Sequence, residues 1–101
     1  MRTIAFDVDG TLITADGNKP RMEVIELLKV FQSLGYKVTV WSGGGVDYAK
    51  GWVNRLGIEK VQVVRKGSFV PDLAVDDMEH CALGKALIWV GPPTPAEWEQ
   101  D

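Results

Sequence analysis

Two carboxylates, two residues apart, close the first apolar run of this chain: Ile4-Ala5-Phe6 leads straight into Asp7-Val8-Asp9-Gly10-Thr11. Residues i and i+2 of a strand point the same way, so both acids would crowd one pocket at the strand's C-terminal end. Like charges there call for a cation, and ligands made only of oxygen favour a hard divalent ion such as Mg²⁺, completed by water and substrate phosphate. An acid pair so placed suits phosphoryl chemistry, in which one carboxylate attacks phosphorus and the other passes a proton to the leaving group. Gly10-Thr11 adds a turn whose amides can face an anion. A solvated Asp-x-Asp-Gly turn is the other reading of these residues. A calcium loop fails on spacing: it needs glycine at its sixth position and glutamate at its twelfth, where this chain has Leu12 and Asn18.

Three later stretches could complete such a site. Trp41-Ser42-Gly43-Gly44-Gly45 places a hydroxyl and three glycines at the end of an apolar run, where backbone amides can approach an anion at the start of a helix. The dinucleotide fingerprint fails because Tyr48 stands in place of its third glycine, and no Gly-Lys-Ser/Thr element follows. Lys66 sits just past the run Val61-Gln62-Val63-Val64, and Leu73-Ala74-Val75 ends in Asp76-Asp77. Adjacent acids on one strand face opposite sides, so Asp76 is assigned to the crevice and Asp77 to the turn or to a supporting position. Asp72, at the other end of that run, reads as a turn residue. His80 and Cys81 are too few and too close for a zinc site and read as a surface side chain and a small buried one.

The elements that must position these groups follow from periodicity. Val24, Leu27, Leu28 and Phe31 recur at helical spacing after Pro20, with Gly35 as the stop. Ala49, Trp52, Val53 and Leu56 repeat the pattern before Gly57, which makes Trp52 a core residue. Strands are expected at the opening run, at Tyr36 to Trp41, at Val61 to Val64, before Asp76 and at Ala86 to Val90. Asp16-Gly17 marks a small hairpin flap over about 12–20. A weakly patterned helical stretch is expected around Met78 to Leu83, and Thr94-Pro95-Ala96-Glu97 has the spacing of a capping box for a short helix over 94–101, anchored by Trp98. Strands alternating with helices give an α/β fold with a parallel sheet, whose C-terminal edge carries the ligand crevice.

With 101 residues the chain has room for one domain, 1–101, and none for a second lobe. Hydrophobic content of 46% and charged content of 25% argue against disordered and fibrous classes. A net charge of −3 does not support nucleic-acid binding. A single cysteine allows no internal disulfide and fits a reducing compartment. No apolar run approaches a membrane span, and the first strand begins without a signal segment, so a cytoplasmic protein with no membrane partner is expected.

Asp7-Val8-Asp9-Gly10-Thr11, Ser42 after a strand, Lys66 and the pair Asp76-Asp77 occur in the order and contexts of the haloacid dehalogenase-like hydrolase superfamily, which this chain resembles from Arg2 to about Val90. The resemblance implies a single Rossmann-like three-layer domain with a mostly parallel five-stranded sheet. The first strand would be central, with the strands bearing Ser42 and Asp76 on either side. It implies that Asp7 is a nucleophile forming an aspartyl-phosphate, that Asp9 is general acid and then base, that Ser42 binds a phosphoryl oxygen, and that Lys66 neutralises charge. Mg²⁺ would be held by Asp7, the backbone carbonyl of Asp9 and Asp76, with Asp77 acting through water. The phosphate would lie against Gly10, Thr11, Ser42, Gly43 and Lys66. These roles describe a phosphomonoester hydrolase. Phosphoryl transfer to an acceptor other than water and a non-catalytic binding module share the same residues. Many relatives carry an inserted cap domain, for which this chain has no room. An open site would take a bulky or macromolecular substrate, or a neighbouring copy of the chain as its lid.

Overall fold

The computed structural model describes residues 1–79 and 82–91. Its elements run β1 (Thr3–Asp7), α1 (Met22–Ser33), β2 (Lys37–Trp41), α2 (Val46–Leu56), β3 (Gln62–Val63), β4 (Leu73–Asp76) and β5 (Ala86–Trp89). The five strands form one all-parallel sheet in the order β3-β2-β1-β4-β5. β1 is central, and β2 and β4 flank it, as the resemblance implies. The fold is α/β and Rossmann-like.

Alternation sorts each strand onto two faces, and aligned residues of neighbouring parallel strands share a face. Ile4 and Phe6 of β1 align with Val38 and Val40 of β2, and Phe6 also aligns with Val75 of β4. All belong to one buried cluster with Val24, Ile25 and Leu28 of α1 and Ala49 and Val53 of α2. Both helices therefore lie on this face. Ile25 joins the helical face expected from Val24, Leu27, Leu28 and Phe31, and Leu27, Phe31, Trp52 and Leu56 pack half-buried at its margin. Burial of the apolar side chains contributes roughly 1.5–3 kcal/mol each.

The opposite face carries Ala5 and Asp7, Thr39 and Trp41, and Ala74 and Asp76. Among the described residues no helix covers it. Trp41, fully buried, packs against Phe69 from the segment after β3, with ring centroids 5.5 Å apart. Gly84 lies so close to Ala74 that a Cβ there would come within 2.9 Å of the Ala74 nitrogen. Irregular chain makes the third layer.

Several elements differ from the periodicity reading, β2 and β5 by one residue each. α1 begins at Met22, after Arg21 in extended conformation. Pro20 is not in its first turn, because it bridges to Ile13 and closes the flap. The flap is otherwise as expected, with the Thr14 amide bonded to the Lys19 carbonyl at 2.8 Å. β3 keeps only two of four expected residues. The described part of Met78 to Leu83 is not helical, and Met78 and Glu79 are exposed. His80, Cys81 and the expected helix over 94–101 lie outside the described residues. Among the described residues no helix is long and apolar enough to cross a membrane.

Candidate active site

All four candidate motifs reach the C-terminal edge of the sheet, because each follows or ends a parallel strand: Asp7 on β1, Ser42 after β2, Lys66 after β3 and Asp76 on β4. Lys66 is the common partner. Its ammonium donates to Asp7 Oδ1 at 3.1 Å and to Asp76 Oδ2 at 3.0 Å. Asp7 and Asp76 are buried and Lys66 is mostly so. Lys50 is exposed on α2. Asp76 also accepts the Met78 amide at Oδ1, 3.0 Å away, which caps the turn after β4.

Asp77 completes a group of three. One carboxylate oxygen from each of Asp7, Asp76 and Asp77 lies within 4.8 Å of the others. Gly10, with φ of +81°, packs so tightly on Asp77 that any Cβ would collide with the carboxylate. A left-handed turn without a side chain is what lets the Asp9-Gly10 loop close over these acids.

Three carboxylates stand around one ammonium, and the charge imbalance shows in the proton affinities of Asp7 and Asp77. Burial, reinforced by the Asp76 charge, raises Asp7 from 3.8 to about 6, although Lys66 opposes the rise. Burial and then the hydrogen bond and charge of Asp76 raise Asp77 as well. Burial alone would lower Lys66, but its two carboxylate partners outweigh that and raise it. An all-oxygen, net negative pocket of this kind fits a hard divalent cation, which would replace protons as the counter-charge.

Asp9 stands apart from that group. Its Oδ1 accepts the Tyr48 hydroxyl at 2.6 Å, so the two acids of the opening motif serve different surroundings. Ser42 is buried one residue past Trp41, which aligns with Asp7, and its Oγ accepts the Gly44 amide at 3.0 Å. Gly43 is exposed on the same turn. The Thr11 amide is taken by the Val8 carbonyl at 3.1 Å, and Thr11 Oγ1 is buried without a hydrogen-bond partner among the described residues.

Two residues escaped the sequence reading. Arg21, 7% exposed, donates to the Gly10 carbonyl and the Val90 carbonyl at 2.7 Å each and to the Gly91 carbonyl at 3.1 Å. It ties the turn carrying Asp9 to the end of β5. Tyr48 is the other. Neither had a local signal beyond an arginine before a helix and a tyrosine in its first turn.

A search of curated proteins and a search of solved structures each gave no match. A family model, haloacid dehalogenase-like hydrolase, matches residues 4–86. That span runs from β1 through Asp7, Ser42, Lys66 and Asp76 to the start of β5. The chain belongs to the haloacid dehalogenase-like hydrolase family.

Proposed function

We propose that this protein is a Mg²⁺-dependent phosphomonoester hydrolase that works through an aspartyl-phosphate on Asp7. The observation that carries the reading is Lys66 bridging Asp7 and Asp76 beside Asp77, a buried acid cluster with one ammonium for three carboxylates. Asp7, Asp76 and the backbone carbonyl of Asp9 would hold Mg²⁺, with Asp77 acting through water. The ion would supply positive charge for the phosphoryl oxygens.

Lys66 engages Asp7 Oδ1, which leaves Oδ2 to attack phosphorus. The new bond is Oδ2–P and the broken one is P–O to the alcohol, whose oxygen takes the proton of Asp9. In the second half Asp9 accepts a proton from water. The hydroxide attacks phosphorus, the Oδ2–P bond breaks, and phosphate leaves with Asp7 restored. Ser42 and the Gly43 turn hold the phosphoryl oxygens, and Lys66 spreads the negative charge. The connections between strands carry no inserted domain over this edge among the described residues. That openness suits a bulky or macromolecular phosphomonoester, or a site lidded by a second copy of the chain.

The test is inorganic phosphate release from a panel of phosphomonoesters, with and without Mg²⁺, and with Asp7→Asn as control. Metal-dependent release that vanishes in the variant supports the reading. Release by the variant at the wild-type rate would remove the covalent route, and turnover only with an added alcohol acceptor would make the protein a phosphotransferase.

A further inference from the structure

Asp9 leaves the sheet on a turn, and nothing in β1 fixes the direction of its carboxyl. A side chain with two free torsions can point to many places, and a proton donor misplaced by an ångström loses much of its effect. The contact that fixes it comes from 39 residues away in sequence, where the Tyr48 hydroxyl meets Asp9 Oδ1 at 2.6 Å. Tyr48 lies in the first turn of α2.

Its ring has a place made for it. A Cβ on Gly44 would stand 2.9 Å from Tyr48 Cδ2 and 3.2 Å from Cγ. Gly44 is not among the glycines of positive φ, so its backbone does not require glycine. The ring does. The same Gly44 donates its amide to Ser42 Oγ, so one turn sets both the phosphate-binding hydroxyl and the tyrosine.

We propose that Tyr48 is a positioning residue for the Asp9 carboxyl, held by the space left at Gly44. This rests on Asp9 being the acid and base of the proposed hydrolase. By occupying Oδ1, Tyr48 turns Oδ2 toward the crevice as the oxygen that exchanges the proton. Oδ1 is an acceptor in the carboxylate and also in the acid protonated on Oδ2, so the phenol O–H donates to it in either state. The contact therefore survives both halves of the cycle.

The experiment compares kcat/KM, which reports the steps through formation of the aspartyl-phosphate, for an alkyl phosphate and for p-nitrophenyl phosphate. The nitrophenolate leaves without a proton and the alkoxide does not. Tyr48→Phe keeps the ring and is expected to lower kcat/KM on the alkyl ester about 10-fold and on the nitrophenyl ester less than about 2-fold. Gly44→Ala should show the same split, because the added methyl displaces the ring. In an Asp9→Asn background, Tyr48→Phe should cost nothing further on the alkyl ester. Equal losses on both esters, a change in KM alone, or an additional loss on top of Asp9→Asn would overturn the positioning role while leaving the hydrolase intact. No release by the wild-type chain from either ester or from any member of the phosphomonoester panel, macromolecular ones included, would overturn the hydrolase reading and this role with it.

Discussion

At the N-terminal ends of β1 and β4, Asp72 Oδ2 accepts the Thr3 amide at 2.8 Å and the Thr3 hydroxyl at 3.2 Å, while Thr3 Oγ1 accepts the Asp72 amide at 3.0 Å. At the C-terminal ends of the same two strands, Asp7 and Asp76 share one lysine. The residue type is the same and the strands are the same, yet the outcomes are opposite. Hydrogen bonds to the charged form hold Asp72 below the ordinary carboxylate range, with the Thr3 amide as the largest cause. Burial and a like charge hold Asp7 above it. One end of the strand pair is satisfied and acts as a joint. The other is left short of positive charge, which is a cost to the fold and an invitation to a cation and a phosphoryl group.

The comparison can be broken first at Asp7. Asp7→Asn should lower phosphate release by about 10⁴-fold or more, since an amide is no nucleophile. The same variant should be more stable than wild type without metal at pH 7, by about 1–3 kcal/mol, because a buried charge is gone. Urea unfolding measures it, and a destabilised variant would mean that the Lys66 pairing outweighs the burial cost. Asp72→Ala should do the reverse. Its loss of the Thr3 contacts is expected to lower stability while turnover stays within about 2-fold. A collapse of activity in a folded Asp72→Ala protein would show that the two ends are not separate in function.

The third test uses pH. Asp7 binds its proton more tightly folded, at about 6, than unfolded, near 3.8. Its contribution to stability is present below about 3.8 and is lost as pH rises through about 6. A shift of that size corresponds to about 3 kcal/mol. Asp72, shifted the other way, contributes above the ordinary carboxylate range and loses its contribution only below it. Between pH 4 and 7 the metal-free protein should therefore show a falling Tm, flattened by Asp7→Asn. Mg²⁺ competes with the proton and should raise Tm more at pH 7.5 than at pH 5. An equal rise at both values would place the ion away from Asp7.

Much of this protein is legible from residue order alone, and the reason is that the signals involved are local. Helical spacing of Val24, Leu28, Ala49 and Val53 marks the faces that α1 and α2 bury. Apolar runs that end in Asp7, Ser42 and Asp76 mark strand ends, and parallel topology gathers strand ends at one edge. The central place of β1 came with the family resemblance, and pairing on both sides with β2 and β4 bears it out. The reading of length failed at β3, and the reading of type failed over the described part of Met78 to Leu83, where the local pattern is weak.

What only the tertiary structure decided is who meets whom across long stretches of chain. The sequence separations of 59 from Asp7 to Lys66, 39 from Asp9 to Tyr48 and 69 from Arg21 to Val90 are closed by docking of elements. Nothing in the spacing of residues along the chain encodes those distances. Residue order alone places two acids at the end of a buried strand. Folding decided that one of them, Asp7, is sealed against Lys66 and Asp76, while the other, Asp9, is held by a tyrosine. The physical reason is that a carboxylate's behaviour is set by its burial and its neighbours in space, which depend on how separate elements pack.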